Sequence, residues 1–364
     1  MNKKSNIAIV LGSNIHWAPY YYRYEKILKD NNVKFDLIIW NRENITENTE
    51  ANNLIEFKMK DKSDNKNPFK IIKFVAFSEF VKKTLKKNNY NKIIFLGTHG
   101  CAPIFLSKFL FEKYNQKYWL DIRDYQYEWF KPFFDFEKKS IENSFATAIS
   151  SKGYEEFLPK SKYYYMHNVD PDIDCLIKKY NKQEDKKNRI RISFIGNVRY
   201  YEENIKLIKL FANDDRFILQ YFGAGSENIK LYCEKNKINN VEFFGKFKKE
   251  DTVKFYNQTD IINNIYGNDS IGLTTALSNK LYYAVALKIP ILVCDNTYMK
   301  EITNKYNFGI TFKNEKDFPD NLYMKYNDGL AKEKNKQPQY EKLWEIIQQD
   351  EKHTYNKLNE FLQI

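Results

Sequence analysis

The sequence is poor in the residues that hold metals or crosslink chains. Its four cysteines, Cys101, Cys175, Cys233 and Cys294, stand 74, 58 and 61 residues apart. That spacing suits neither a zinc cluster nor a disulfide framework, so reduced thiols are expected. His16, His99, His167 and His353 are equally scattered, with no His-Glu-x-x-His run, and no metal is expected. Long apolar runs are also missing. Ile190–Ile195 is interrupted by Arg191 and Ser193, and Ile289–Cys294 ends well short of the ~20 residues that span a bilayer. Met1-Asn2-Lys3-Lys4-Ser5-Asn6 leads directly into a short apolar strand ending at Gly12, without the apolar core and cleavage site of a signal peptide, so a cytoplasmic location is expected. There is no internal repeat. No helix-turn-helix, zinc-finger or RNP-type pattern is present, so a nucleic-acid partner is not expected.

What is there is length and aromatic content. At 364 residues the chain exceeds one ordinary domain, and two units of similar size are expected. Its 28 Tyr and 28 Phe supply ample material for a core. The net charge of +12 coincides with an excess of Lys, Asn and Ile, a compositional bias that raises charge without selecting for a partner.

Short apolar runs alternate with longer helical patterns, the mark of a mostly parallel sheet covered by helices. In the first half the expected strands are 6–11, 35–40, 54–57, 92–96, 118–122 and 146–149. Helices are expected near 17–28, 68–87, 102–114 and 129–144. The charged stretch 178–189 follows Asp170-Pro171-Asp172 and has almost no apolar content, so 171–189 is expected to link two domains, 1–170 and 190–339. A second alternating series has strands at 191–195, 217–222, 241–244, 261–265, 289–293 and 309–312. The amphipathic segment 340–364 is expected to pack back on the first domain.

Ligands of open α/β sheets bind beyond the carboxyl ends of the strands. The first such loop of the second half is Gly196-Asn197-Val198-Arg199-Tyr200. Free amides, a helix dipole and the planar fork of Arg199 would suit a phosphate there. A strand-ending glycine and a solvated arginine would read the same way. Gly223-Ala224-Gly225 forms a second glycine loop, which alone marks only a tight turn. In the run Leu277-Ser278-Asn279-Lys280-Leu281-Tyr282-Tyr283, Lys280 falls beside the apolar stripe near a helix start. A cation there opposes the helix dipole unless an anion lies between them, so Lys280 is either a diphosphate ligand or one more surface lysine.

These motifs, IGNVR, FGAG, VEFFGKF and NKLYYAVALKIPILV, resemble in order and spacing the C-terminal half of GT-B glycosyltransferases, especially family 4-like capsule and exopolysaccharide enzymes. VLGSN, YWLDIRDY, FATAISSKGYEEFL and YYYMHNVDPD resemble the N-terminal half. The resemblance implies an α/β fold of two doubly wound Rossmann-like domains facing a central cleft. It also implies transfer of a sugar from a UDP- or GDP-sugar to a glycan, polyprenyl-linked or protein-linked acceptor, with retention of configuration and no metal or other cofactor. The donor would lie on Gly196, Arg199, Gly223, Gly225, Ser278, Asn279, Lys280 and Tyr283. The acceptor would lie near Gly12, Asn14, His16, Trp17 and Arg123, with Asp124 and His99 as catalytic candidates. Asp124 would equally cap a helix starting at Tyr125, and His99 would equally be a turn residue. Three departures stand out: Tyr283 replaces the family glutamate, Lys288 replaces a glycine, and Tyr200-Tyr201-Glu202-Glu203 lacks the usual lysine, leaving only Lys206 farther along. A nucleotide-sugar epimerase and a catalytically silent subunit are the alternatives. The aromatic and basic stretch Tyr125–Lys139 suits either a core or peripheral contact with the inner face of a membrane.

Overall fold

The computed structural model describes residues 6–61, 70–98, 106–183, 188–327 and 338–363, with side chains at 70 and 71 left aside. His99 and Cys101 lie outside the described residues. The chain divides into two compact units, Met1–His167 with Gln349–Ile364, and Asn168–Gln348.

In the first unit β1 (Ile7–Leu11), α1 (Tyr21–Asp30), β2 (Phe35–Asn41), β3 (Asn53–Lys58), α2 (Lys70–Asn88), β4 (Lys92–Leu96), α3 (Ser107–Lys113), β5 (Tyr118–Ile122), α4 (Lys131–Glu142), β6 (Ala146–Ile149) and β7 (Tyr163–Tyr165) follow in order. The sheet runs β3-β2-β1-β4-β5-β6-β7 with every pair parallel. Strand order reverses between β1 and β4, both of which pair from their first residues, Ile7 opposite Lys92. Every residue of β1 is buried, as expected for a parallel strand covered on both faces. Ile7, Ile9, Leu37, Tyr24, Leu28 and Trp119 form the core, joined by Leu358 and Phe361 of the C-terminal segment.

The second unit contains α5 (Ile173–Lys179), β8 (Ile190–Ile195), α6 (Tyr201–Phe211), β9 (Phe217–Phe222), α7 (Glu227–Lys235), β10 (Val241–Gly245), α8 (Thr252–Asn257), β11 (Ile261–Asn264), α9 (Ile271–Thr275), α10 (Asn279–Leu287), β12 (Ile291–Val293), α11 (Tyr298–Lys305), β13 (Gly309–Thr311) and α12 (Phe318–Asn327). Its parallel sheet runs β10-β9-β8-β11-β12-β13, so the order reverses between β8 and β11. Two clusters cover it, one around Phe194, Leu207, Phe211 and Ile261, the other around Phe222, Ile262, Leu281, Val285 and Val293. The polar residues inside β8 have partners. Arg191 is paired with Asp260 at 2.8 Å, and Ser193 donates to Gln220 Oε1 at 3.0 Å. Burial would raise the Asp260 carboxyl, but hydrogen bonds from Arg191 outweigh it and hold it below the usual range.

One element differs from expectation. Residues 171–189, expected as a linker, contain α5 and are tied into the second unit by Gln183 N donating to Asn257 O. The C-terminal segment is one helix, α13 (Tyr340–Leu362). Among the described residues no helix is long and apolar enough to cross a membrane.

Candidate functional site

At the reversal point of the second unit, β8 is followed by Gly196 with φ +125°, and β9 by Gly223 with φ +137°, a region that favours glycine. The two loops are zipped together: Gly196 N donates to Phe222 O and Val198 N to Ala224 O, each at 2.8 Å. The expectation of a free amide at Gly196 is therefore corrected, because that donor is spent between the loops. Gly225, at φ +92°, also lies close to the first loop, where a β-carbon would sit 2.4 Å from Val198 O.

Asn204, fully buried on α6, was not anticipated. Its amide donates to the carbonyls of Arg199 and Tyr200 at 3.0 Å, and its Oδ1 accepts from Tyr221 and Asn263. An asparagine within a helical run reads as solvent-facing; only the helix phase shared with Leu207, Ile208 and Phe211 marks it as inward. Arg199 itself is exposed.

The two helices that start here treat an anion differently. α6 already carries Glu202 and Glu203 in its first turn, whereas α10 has no acidic residue in its own. Negative charge at a helix N-terminus answers the dipole, so α10 is the start left without an acidic side chain. Ser278 precedes it and donates to Asn264 Oδ1 at 2.7 Å; Asn279 is exposed.

Lys280 does not lie beside the apolar stripe as expected. It is 4% exposed, because α10 is buried nearly all round against strand ends. Its Nζ donates to Tyr266 Oη at 2.7 Å and lies 3.5 Å from the ring centre of Phe194 and 4.7 Å from that of Tyr266. Tyr200 packs on Tyr266 at 4.7 Å, closing an aromatic cage. Among the described residues no carboxylate pairs with Lys280, and burial alone holds its amine well below the usual lysine range. Two aromatic faces return about 2 kcal/mol to a desolvated cation. Burying an ammonium without a counter-charge costs several kcal/mol, so the balance of burial and ring contacts works against the charged form.

Tyr283 stacks on Tyr256 at 4.7 Å, and its hydroxyl donates to Asp170 Oδ2 at 2.5 Å, so it is committed within the unit rather than held open for a ribose. Burial raises the Asp170 carboxyl, but hydrogen bonds from Tyr283, the Asp172 amide and Lys249 outweigh it and leave it below its ordinary range. Lys206 is paired with Glu203 at 2.6 Å. Lys288 takes the left-handed conformation, φ 57°, that ends α10, which explains why a glycine would fit there too.

In the first unit, Gly12 ends β1 and is buried. Asn14, expected to meet an acceptor, is fully buried: it donates to Asn41 Oδ1 at 2.8 Å and Glu47 Oε1 at 2.6 Å and accepts from the amides of Arg42 and Glu43. It staples two loops together. His16 Nε2 lies 3.3 Å from Glu43 Oε1, and Trp17, 52% exposed, donates to the same oxygen at 2.7 Å.

Arg123 is also turned inward. It makes two contacts with Asp121, at 2.7 and 2.8 Å, donates to Met166 O at 2.9 Å and lies over the Tyr20 ring at 4.6 Å. Asp124, the next residue, is exposed. It is not a helix cap, since α4 starts at Lys131 after Phe130. Of the aromatic stretch, Phe133 and Phe136 are core, while Trp129 and Phe130 are exposed.

The sequence reading missed Glu137. It is fully buried on the inward face of α4 with Phe133, Phe136 and Ile141, and accepts from Thr98 Oγ1 at 2.8 Å. Burial first, then the charge of Glu128, pushes its carboxyl up to about 8. Among the described residues no three His, Cys, Asp or Glu are grouped to hold a metal ion.

Two open parallel sheets, each reversing strand order at its first strand, define a pair of Rossmann-like units, the GT-B fold class. No protein-family model and no curated protein sequence matches the chain. Solved structures do match. Sucrose-phosphate synthase from Thermosynechococcus elongatus has TM-score 0.66 at 11% identity, covering 99% of this chain and 98% of that one. HepE from Anabaena, solved with UDP and glucose, has TM-score 0.60 at 10% identity, covering 98% and 99%. A Listeria monocytogenes protein assigned as a UDP-N-acetylglucosamine 2-epimerase has TM-score 0.56 at 11% identity, covering 93% and 92%. At such identities the fold is what is shared.

Proposed function

We propose that the protein is a glycosyltransferase that takes a sugar from a nucleoside diphosphate sugar. The observation that carries this reading is Lys280: a buried amine that no carboxylate pairs with among the described residues, at the start of a helix free of acidic residues in its first turn, at the strand reversal of the second unit. A diphosphate supplies the missing negative charge. Lys280, with Arg199 from the neighbouring loop, would neutralise the charge that grows on the leaving group as the glycosidic bond to the diphosphate breaks, without a metal. Asn279, Ser278 and the paired loops of Gly196, Gly223 and Gly225 would form the surroundings of the donor. The first unit would bind the acceptor, with Trp17 as a stacking surface for a sugar face and Asp124 orienting the attacking hydroxyl. Retention of configuration and a glycan or lipid-linked acceptor of surface polysaccharide assembly complete the proposal. Trp129 and Phe130, exposed beside Lys131, suit peripheral membrane contact, tested by salt-sensitive flotation with anionic vesicles.

The primary test is a thermal-shift screen over UDP-, GDP-, ADP- and CMP-sugars, followed by transfer assays with the stabilising donor. A donor that stabilises the fold and is consumed only with an acceptor sugar supports transfer. The epimerase neighbour favours a second reading, in which the donor sugar is inverted without any acceptor.

A further inference from the structure

Lys280 is held where burial works against its charged form. Among the described residues its one hydrogen-bond partner is the Tyr266 phenol, two ring faces cover it, and the dipole of α10 opposes a cation at its start. The titratable and charged groups around this cage are Tyr266 after β11, Tyr200 and Arg199 after β8, Tyr221 of β9 behind Phe194, and Tyr256 of α8. Beyond Gly267 lie Glu203 and Lys206 of α6 and Cys294 after β12; Glu203 is joined to Lys206 rather than to Lys280.

We propose that donor capture is coupled to proton uptake at Lys280, with Tyr266 as the positioning residue that holds the neutral amine until the diphosphate arrives. The inference rests on the donor site proposed above. The amine lone pair takes one proton from solvent or buffer acid, forming an N–H bond and leaving the conjugate base in solution. The ammonium so formed meets the anion at the start of α10. Burial without a counter-charge, which lowers the amine, is relieved by the same event. Tyr266, the residue that follows β11 and Ile265, thereby gains a role that its sequence context does not suggest.

The experiment is isothermal titration of the full chain with UDP and, separately, GDP, in buffers of low and high ionisation enthalpy. It is run at about pH 8.5, where a terminal phosphate with a second pKa near 6 is fully ionised and takes no part. Binding enthalpy plotted against buffer ionisation enthalpy is expected to have a slope of about one proton taken up per nucleotide. Lys280→Arg, which is always charged, is expected to bind with the slope abolished; Lys280→Met, keeping residual binding, reads the same slope if the arginine variant does not fold. A nucleotide that binds the wild-type protein with no buffer dependence overturns proton coupling and leaves the donor site standing. A slope that survives in either variant overturns the assignment to Lys280. Failure of both nucleotides to bind removes the donor-site reading and the inference with it.

Discussion

A β-carbon placed on Gly223 would lie 1.8 Å from the carbonyl oxygen of Gly196. Both residues have positive φ, and the Gly196 amide already donates to Phe222 O, so neither loop can retreat without breaking that bond. Gly223→Ala is expected to destabilise the second unit by about 3 kcal/mol or more, combining backbone strain with a main-chain clash. Gly196→Ala meets nothing within 4 Å, and is expected to cost only the strain of its φ, about 1–2 kcal/mol. Urea unfolding of the two variants checks the ordering.

Lys280→Met replaces a buried amine with an apolar chain of similar length. It is expected to stabilise the unliganded protein by about 1 kcal/mol at neutral pH while weakening nucleotide binding at least about tenfold. The lowered amine means that the unfolded chain binds more protons between the folded pKa and the ordinary lysine value, so wild-type stability rises with pH across that window. The advantage of the methionine variant should shrink as pH approaches about 10.5. Denaturant midpoints at several pH values, and nucleotide titration, measure both effects.

Glu137 has the opposite sign. Its carboxyl, raised from 4.5 to about 8, holds a proton in the folded state that the unfolded chain has released. Stability contributed by this group falls as pH rises from 4.5 to about 8. Glu137→Gln is expected to flatten that decline, with a gain on the order of 3 kcal/mol above pH 8 relative to its effect below pH 5. Thermal melts from acid to mildly alkaline pH report it; an unchanged pH slope in the variant would count against a buried, protonated Glu137.

Arg123 and Asp124 are adjacent but should behave differently. Removing Arg123 leaves Asp121 buried without its counter-charge, with the Tyr24 hydroxyl still donating to it, so Arg123→Ala is expected to cost about 3 kcal/mol in unfolding free energy. Asp124→Asn is expected to change stability by less than about 0.5 kcal/mol, as surface substitutions do, while lowering the transfer rate. Unfolding curves and turnover assays on the same preparations separate the two roles.

Tyr283→Phe keeps the ring stacked on Tyr256 and removes only the hydroxyl that donates to Asp170. A loss of about 1 kcal/mol in stability is expected, with nucleotide affinity unchanged. A large loss of affinity would return Tyr283 to the donor contacts.

Much of the scaffold could be read along the chain. β1 is a short run of apolar residues, and a run buried on both faces belongs in a parallel sheet with helices on either side; β8 keeps the same burial although Arg191 and Ser193 interrupt it. The edge strand β3 was visible as Leu54–Phe57 within a polar stretch and pairs with β2 as an edge should. The site was less legible. Arg123 and Asn14 looked like ligand-facing polar residues at strand ends, yet their partners Asp121, Asn41 and Glu47 turn them inward. Glu137 lay hidden in a helix whose inward phase was readable, because a charged residue at an apolar phase is ordinarily set down as surface.

Local composition and periodicity determined two doubly wound units and the glycine turns that end β8 and β9, since strand, helix and turn preferences act over a few neighbouring residues. The tertiary structure alone decided which polar groups were spent inside. Tyr283 meets Asp170 across 113 residues of chain, and Lys280 meets Phe194 and Tyr266 where three separate segments converge. Whether a charge is hydrated, paired or stranded depends on what packs against it, and that packing is a property of the folded chain, not of its neighbours in sequence.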